Sequence, residues 1–321
     1  MYVLELGGQD DEFAAFEAES AASDVTVVAP GLATARGVTD RVRNLAYTRS
    51  ASELLGQCDP DVGSARTLLE ATTIQRAGSV AVRAEDVRGR TGVDTQRAER
   101  VLGQILVDRG FTVDLEDPDH ELRVYFTEDT CAVGGLVAES VRDFGERKPT
   151  DRPFFQPGSM DPLLARALVN MAGARPGATV LDPMCGTGGI QLEAGLVGAR
   201  PLGLDAQEKM VRGTQQNLAD GLEADWDVMR GDARSLPLAD DSVDAVVFDA
   251  PYGRQSKIEG DLNSLVLEAL EEARRVASRC VVVGDKPWAQ PAHEAGWTTE
   301  AAFDRPVHRS LTRYVLVLRR A

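Results

Sequence analysis

In the second half of the chain, short apolar runs that mostly end in an acid alternate with stretches whose apolar residues recur every three to four positions. The runs 179–182, 201–205, 227–231, 245–249 and 280–284 read as strands, and helices fit between them over 189–196, 208–220 and 262–277. Strands alternating with helices predict a parallel sheet covered on both faces. A weaker sixth strand is expected near 300–303, and the tail 313–319 supplies a seventh. The first half reads as α+β. Short strands are expected at 25–28 and 79–83, and a helix is expected to begin over 51–55. Residues 94–100 start a helix that continues through Val101, Leu102, Ile105 and Leu106 at helical spacing, and Gly110 closes it. Two strands follow at 111–115 and 121–126, separated by Asp117-Pro118-Asp119.

Between the halves lies Arg142-Asp143-Phe144-Gly145-Glu146-Arg147-Lys148-Pro149-Thr150-Asp151-Arg152-Pro153, whose charges and two prolines read as a linker. The expected division is an α+β region over 1–145, a linker over 146–158 and an α/β domain over 159–321. No repeat or low-complexity tract interrupts it.

Composition narrows the class. With 321 residues and 43% hydrophobic content, two folded domains are affordable and global disorder is excluded. No run of 18 apolar residues is present, and Met1-Tyr2-Val3-Leu4-Glu5 does not open a secretory signal, so a cytoplasmic protein without a membrane span is expected. Cys58, Cys131, Cys185 and Cys280 are scattered, without a CxxC pair, which points to neither a metal site nor a disulfide framework.

The net charge of −16 argues, taken alone, against a polyanionic partner. The acids are 29 Asp and 22 Glu, and the bases 31 Arg and only 4 Lys, a balance expected of a halophile. In molar salt the Debye length shrinks to about 3 Å, so long-range repulsion of RNA would matter little and local Arg contacts would still act. The excess is uneven, −11 over 1–150 and −5 over 151–321.

The strongest chemical signal is Val180-Leu181-Asp182-Pro183-Met184-Cys185-Gly186-Thr187-Gly188-Gly189, a strand ending in an acid, a glycine-rich turn and the start of a helix. Glycines let backbone approach a ligand closely. A dinucleotide fingerprint, GxGxxG, would instead present a helix N-terminus to a pyrophosphate. A carboxylate at Asp182 suits a cofactor carrying an amino group and a sulfonium cation. Asp205 ends the next strand, where a carboxylate accepts both hydroxyls of an unphosphorylated ribose. Gly231-Asp232-Ala233 follows the third, where Asp232 can accept from an adenine amine. A single strand-tip Asp is as often a helix N-cap, but three in order describe one crevice. Cys185, inside the turn, reads as a small packing residue. Upstream, Phe154-Phe155-Gln156-Pro157-Gly158-Ser159-Met160-Asp161-Pro162 offers Ser159 or Asp161 as a helix cap and a Pro157-Gly158 turn to cover one side of the pocket.

The fourth strand ends in Asp249-Ala250-Pro251-Tyr252-Gly253. This resembles the [D/N/S]PP[Y/F] motif of methyltransferases that act on amino groups conjugated to a planar system. Such a nitrogen is a poor nucleophile because its lone pair is delocalised. An acceptor side chain, Asp249, with a backbone carbonyl beside Pro251, would hold both N–H groups and aim the lone pair, so positioning and electrostatics supply the catalysis. Tyr252 would stack on the base, a contact contributing about 1–3 kcal/mol. A paired base must be flipped out to reach it. Ala250 stands where the motif has Pro, which leaves the turn less constrained.

With both loops in place, the chain resembles the archaeal tRNA (guanosine-10 N2)-methyltransferase family, in which a THUMP-containing region precedes a Rossmann-like, seven-stranded class I methyltransferase domain. The resemblance is strongest from Arg152 through Gly253 and extends to His308-Arg309-Ser310-Leu311-Thr312-Arg313. Residues 79–136 are similar to a THUMP domain, expected within about 50–140, and 1–50 match only loosely. The resemblance implies transfer of one or two methyl groups from S-adenosylmethionine to the N2 amine of guanosine 10 of tRNA, and a monomer without metal is expected. It implies catalysis by Asp249, Pro251 and Tyr252. The cofactor would be held by Phe155, Pro157, Gly158, Asp182, Cys185, Gly186, Thr187, Gly188, Asp205, Ala206, Gly231, Asp232, Ala233 and Asp249. It also implies a THUMP region that docks the acceptor end of tRNA, with Arg83, Arg88, Arg90 and Arg97 as candidate contacts, each as readable as a solvated charge. His308 reads as structural. The loop alone leaves open an rRNA guanine, DNA adenine or protein glutamine substrate, or a non-catalytic RNA-binding module. A nicotinamide dehydrogenase would require the GxGxxG that is absent.

Overall fold

The computed structural model describes residues 1–74, 77–223, 225–252, 259–308 and 311–320. The chain divides into two units, Met1–Val141 and Arg142–Ala321.

The first unit runs β1 (Tyr2–Leu6), α1 (Asp11–Ala18), β2 (Ala22–Ser23), β3 (Thr26–Ala29), β4 (Leu32–Ala35), β5 (Gly37–Val38), β6 (Thr48–Cys58), α2 (Val62–Ala71), β7 (Ser79–Asp86), α3 (Thr95–Asp108), β8 (Thr112–Val113), β9 (His120–Phe126) and β10 (Cys131–Glu139). Eight strands form one sheet in the order β3-β4-β1-β6-β10-β9-β7-β8, and β2 pairs with β5 apart from it. α3 forms as its pattern predicts. The Asp94 side chain accepts from the Arg97 N–H, and Ala98, Leu102 and Leu106 face the core. Gly110 follows it at φ +95°, the left-handed region that ends helices at little cost to glycine. That core also takes Leu69 of α2, Val82, Val124 and Val133.

The expected helix over 51–55 is instead the middle of β6, which is paired on both sides, with β1 and with β10. The helix preference of Ala51, Glu53 and Leu54 is overridden by this pairing, and the small Ser50 and Ser52 side chains admit Tyr125. The Tyr125 hydroxyl lies 2.8 Å from Ser50 Oγ and 3.1 Å from Ser52 Oγ. The expected strand over 111–115 is reduced to Thr112–Val113 at the sheet edge.

The second unit contains α4 (Pro162–Met171), β11 (Thr179–Asp182), α5 (Gly189–Leu196), β12 (Arg200–Asp205), α6 (Glu208–Gly221), β13 (Asp227–Arg230), β14 (Ala245–Asp249), α7 (Glu259–Val276), β15 (Arg279–Gly284), α8 (Ala289–Glu294), β16 (Trp297–His308) and β17 (Leu311–Arg320). Its sheet order is β13-β12-β11-β14-β15-β17-β16. The first five strands are parallel, as the alternating pattern predicts, and β17 runs antiparallel between β15 and β16. The order reverses between β11 and β14, and in an open α/β sheet ligands bind at the carboxyl ends of the strands at such a point.

The stretch expected to be a linker is packed into this second unit. Its polar residues partner buried groups: Phe144 is buried, and the Arg147 guanidinium binds Glu193 of α5 at 2.7 Å. Glu193 has no solvent exposure and also pairs with Arg166 at 2.8 Å. A buried carboxylate needs such partners, so these charges lie inside the fold. Asp161 caps α4 through the Leu163 N–H, with Pro162 at the first position.

Candidate active site

β11, β12 and β14 end in Asp182, Asp205 and Asp249, and parallel pairing of these strands brings the three acids to the same edge of the sheet. Asp182 is 2% exposed, and its Oδ1 accepts the Met184 N–H at 2.9 Å. Burial raises its pKa well above the carboxylate range, and the charges of Asp205 and Asp249 push it the same way. Asp205 accepts at both oxygens, from the Gly186 N–H at 3.0 Å and the Gln207 N–H at 2.8 Å. Each oxygen keeps lone-pair capacity for a further donor. A cation beside Asp182 would relieve the burial and the neighbouring negative charge that raise its pKa. The donor set therefore fits a cationic cofactor with ribose hydroxyls.

The glycine-rich turn between β11 and α5 is held from α6. Thr214 Oγ1 donates to the Gly186 carbonyl at 2.8 Å, and Asn217 Nδ2 donates to the Thr187 carbonyl at 2.8 Å. Asn217 also ties down Phe154, accepting its N–H and donating to its carbonyl, each at 2.8 Å. Gly188 has φ +75°, and a Cβ there would lie 2.6 Å from Thr214 Cγ2, so only glycine fits. Cys185 is buried and burial pushes its thiol pKa far up, which removes it as a nucleophile and leaves packing as its part. The approach segment joins here: Ser159 Oγ donates to the Gln156 carbonyl at 2.7 Å and lies 3.0 Å from Thr187 Oγ1, and Phe155 is exposed. Ser159 thus ties the two loops together and does not cap α4.

The third tip differs from expectation. Both Asp232 oxygens face Arg234, with Nε–Oδ1 at 3.0 Å and Nη2–Oδ2 at 2.7 Å, and this pair holds the Asp232 pKa below the usual range. Asp232 is thus partnered within its own turn. Gly231 packs on Leu204, where a Cβ would come within 2.5 Å of Cδ1. Ala233 is buried and Ala206 exposed.

At the fourth tip, the Tyr252 hydroxyl donates to Asp249 Oδ2 at 3.2 Å. Arg313 Nε, from β17, donates to the Tyr252 oxygen at 2.9 Å, and its Nη2 lies 3.8 Å from Asp249 Oδ2. Asp249 Oδ1 is buried without a hydrogen-bond partner among the described residues. An unsolvated carboxylate oxygen favours the protonated form, and burial raises the Asp249 pKa to about 6 against the lowering effects of Arg313 and Tyr252. Pro251 is exposed. Ala250 is 1% exposed, and its N–H donates to the Val283 carbonyl at 2.8 Å, extending the β14–β15 ladder. A proline has no such donor, so alanine here adds a constraint to the turn and does not loosen it. Gly253 lies outside the described residues, as do Arg309 and Ser310 and the side chain of His308.

The candidate RNA contacts lie in the first unit. Arg88 is drawn inward, its guanidinium paired with Asp11 and only 11% exposed, which makes it structural. Arg83 donates to the Leu115 carbonyl at 2.6 Å, Arg90 is half exposed beside Glu128 at 3.7 Å, and Arg97 is exposed. Sequence reading assigned no part to Thr214, Asn217 or Arg313. Thr214 and Asn217 are three residues apart on one helix face, but nothing in the chain marks that face as polar against a loop.

The fold and the acids at its strand tips define a Rossmann-like methyltransferase architecture. The crystal structure of TrmN from Thermus thermophilus shares it, with a TM-score of 0.50 and 23% identity, over 100% of this chain and 99% of that one. Residues 149–313 match the family described as RMKL-like, methyltransferase domain. The tRNA (guanine(10)-N2)-dimethyltransferase of Methanothermobacter thermautotrophicus is 36% identical over 87% of this chain and 84% of its own. That of Pyrococcus abyssi is 32% identical over 75% and 74%. The chain belongs to this family of RMKL-like methyltransferases.

Proposed function

We propose that this protein transfers one or two methyl groups from S-adenosylmethionine to the exocyclic N2 amine of guanosine 10 of tRNA. The observation that carries the reading is the Asp249 carboxylate at the tip of β14, at the same sheet edge as Asp182 and Asp205 and linked to Arg313 through the Tyr252 hydroxyl. The relatives' activity on the N2 amine of a tRNA guanine supports the substrate. When bound, S-adenosylmethionine supplies an electrophilic methyl group on a sulfonium sulfur. The residues that would hold it are Asp182 for the charged end, Asp205 and Ala206 for the ribose, the 185–188 turn, Gly231 to Ala233 for the adenine, and Phe155, Pro157 and Gly158 as cover. For Asp232 this requires sharing with Arg234, or exchange of partner.

Asp249 accepts an amine N–H, which turns the nitrogen lone pair away from the ring and toward the methyl group. With a pKa of about 6, its carboxylate is ionised at neutral pH and basic enough to take the proton that the methylated nitrogen releases. Tyr252 stacks on the base. The unit Met1–Val141 contributes RNA binding, with a THUMP domain within about 50–140 and Arg83, Arg90 and Arg97 as its candidate contacts. The acidic, Lys-poor surface fits a protein working in the cytoplasm of a halophile, where salt screens repulsion of RNA.

Labelled S-adenosylmethionine, offered in high salt with unmodified tRNA transcripts, rRNA, duplex DNA or protein, tests the substrate class. N2-methylguanosine in digested tRNA is the expected product. Label confined to another class, or no transfer with cofactor still bound, would overturn the reading.

A further inference from the structure

Arg313 enters the catalytic loop from 61 residues further along the chain than Tyr252. It is 5% exposed, which is costly for a guanidinium unless its charge is answered. Its donors go to three places: the Tyr252 oxygen at 2.9 Å, the neighbourhood of Asp249 Oδ2 at 3.8 Å, and the Gly158 carbonyl at 3.4 Å. One side chain thereby joins the acceptor, the stacking residue and the turn expected to cover the cofactor. β17 delivers it because the strand is inserted between β15 and β16, with Tyr314 in register with Gly284.

We propose that Arg313 is a positioning residue, which through the Tyr252 hydroxyl holds the Asp249 carboxylate ionised and in one orientation. The proposal rests on the reading of Asp249 as the amine acceptor. Among the described residues, the charged and titratable groups facing Asp249 are Arg313 from β17, Tyr252 from its own loop, Asp285 after β15 and Asp182 from β11. The charge of Asp285 favours protonation of Asp249, and that of Arg313 opposes it. Tyr252 also fixes which oxygen is used. Its hydroxyl is bound at Oδ2, and Arg313 restricts its rotation by donating to the same oxygen atom. The proton of the phenol is then directed at Asp249, because Arg313 can only donate.

The test is the titration of Asp249 by carbon NMR of the labelled carboxyl, together with steady-state kinetics. The proteins are the wild type, Arg313→Gln, Arg313→Lys and Tyr252→Phe. In Arg313→Gln the Asp249 midpoint should rise by about one pH unit or more, as expected when an opposite charge within about 4 Å is lost. At pH 7, kcat should fall at least about twofold, the loss of ionised Asp249 that a one-unit shift brings, with the cofactor KM within about threefold, and Arg313→Lys should recover part of the midpoint. Tyr252→Phe keeps the ring and covers the case in which Arg313→Gln does not fold. It should raise the midpoint by a smaller amount and lower kcat. An unmoved midpoint in a folded Arg313→Gln or Tyr252→Phe protein overturns the proposal. The midpoint is read without substrate. A shifted midpoint in a protein that methylates no guanosine would therefore uphold the positioning role and sink the substrate reading.

Discussion

Replacing Asp249 by asparagine should nearly abolish methyl transfer and leave cofactor binding almost untouched. The side chains are of equal size, so packing at the β14 tip is conserved. What changes is the acceptor. In the wild type the ionised carboxylate shares its charge between both oxygens, and Oδ2 receives the Tyr252 hydroxyl at 3.2 Å and faces Arg313 at 3.8 Å. Asparagine presents at best one neutral oxygen, and its amide N–H groups repel an incoming amine donor or the Arg313 guanidinium. Charge-assisted hydrogen bonds are about twice as strong as neutral ones. Losing one at a developing charge costs roughly 3–4 kcal/mol, or a factor of about 100 to 1,000 in rate. Asp182 and Asp205, proposed to hold the cofactor, stand on β11 beside β14 and on β12 beyond it, and keep their own hydrogen bonds. The assay is single-turnover transfer at saturating cofactor and tRNA, with cofactor affinity measured by calorimetry on the same preparation. Equal loss of transfer and affinity, or a rate within tenfold of wild type, would refute the role assigned to Asp249.

Other outcomes follow from the same geometry. Because the Asp249 pKa is raised to about 6, the acceptor is protonated below that pH, and the single-turnover rate should fall as pH falls through about 6. A rate flat from pH 8 to pH 5 would exclude an ionised Asp249 from the rate-determining step. Asp205→Ala should weaken cofactor affinity about tenfold or more in calorimetry, through the ribose contact and the Gly186 N–H it leaves unpaired. Unchanged affinity would remove Asp205 from the pocket. Ala250→Pro restores the family's motif but deletes the N–H donated to Val283. It should destabilise the protein by about 1–3 kcal/mol in denaturant unfolding, and a gain in stability would show that this donor is dispensable.

Much of the second unit was legible because each strand–turn–helix step is local. Asp182, Asp205 and Asp249 each end an apolar run, and parallel pairing of those runs alone brings the acids to one edge. Cys185 is buried in the glycine-rich turn with its Sγ 3.7 Å from Thr214 Oγ1, a setting that keeps the thiol protonated. Arg313 has no part that the sequence marks, because its effect depends on β17 being inserted between β15 and β16. A sequence lists the tail strand last and does not show where it pairs. Asp232 was expected to await a ligand, yet Arg234 two residues on takes both oxygens, a local pairing that spacing did not distinguish from an N-cap. In the first unit the pattern failed at β6, whose Ala, Glu and Leu favour a helix. The pairing partners that overrule them, Tyr2 to Leu6 and Cys131 to Glu139, lie up to about ninety positions away. The charges of 142–153 suggest solvent, and Arg142, Glu146, Lys148 and Asp151 are exposed, but Arg147 is drawn in by the buried Glu193 of α5.

The measurement that tests the central claim most directly uses two tRNA transcripts that differ only at position 10, one with guanosine and one with adenosine. Both are incubated with labelled S-adenosylmethionine in high salt and then digested to nucleosides. The account predicts labelled N2-methylguanosine or its dimethyl form from the first transcript and none from the second. Equal labelling of both would contradict it and place the target base elsewhere in the RNA.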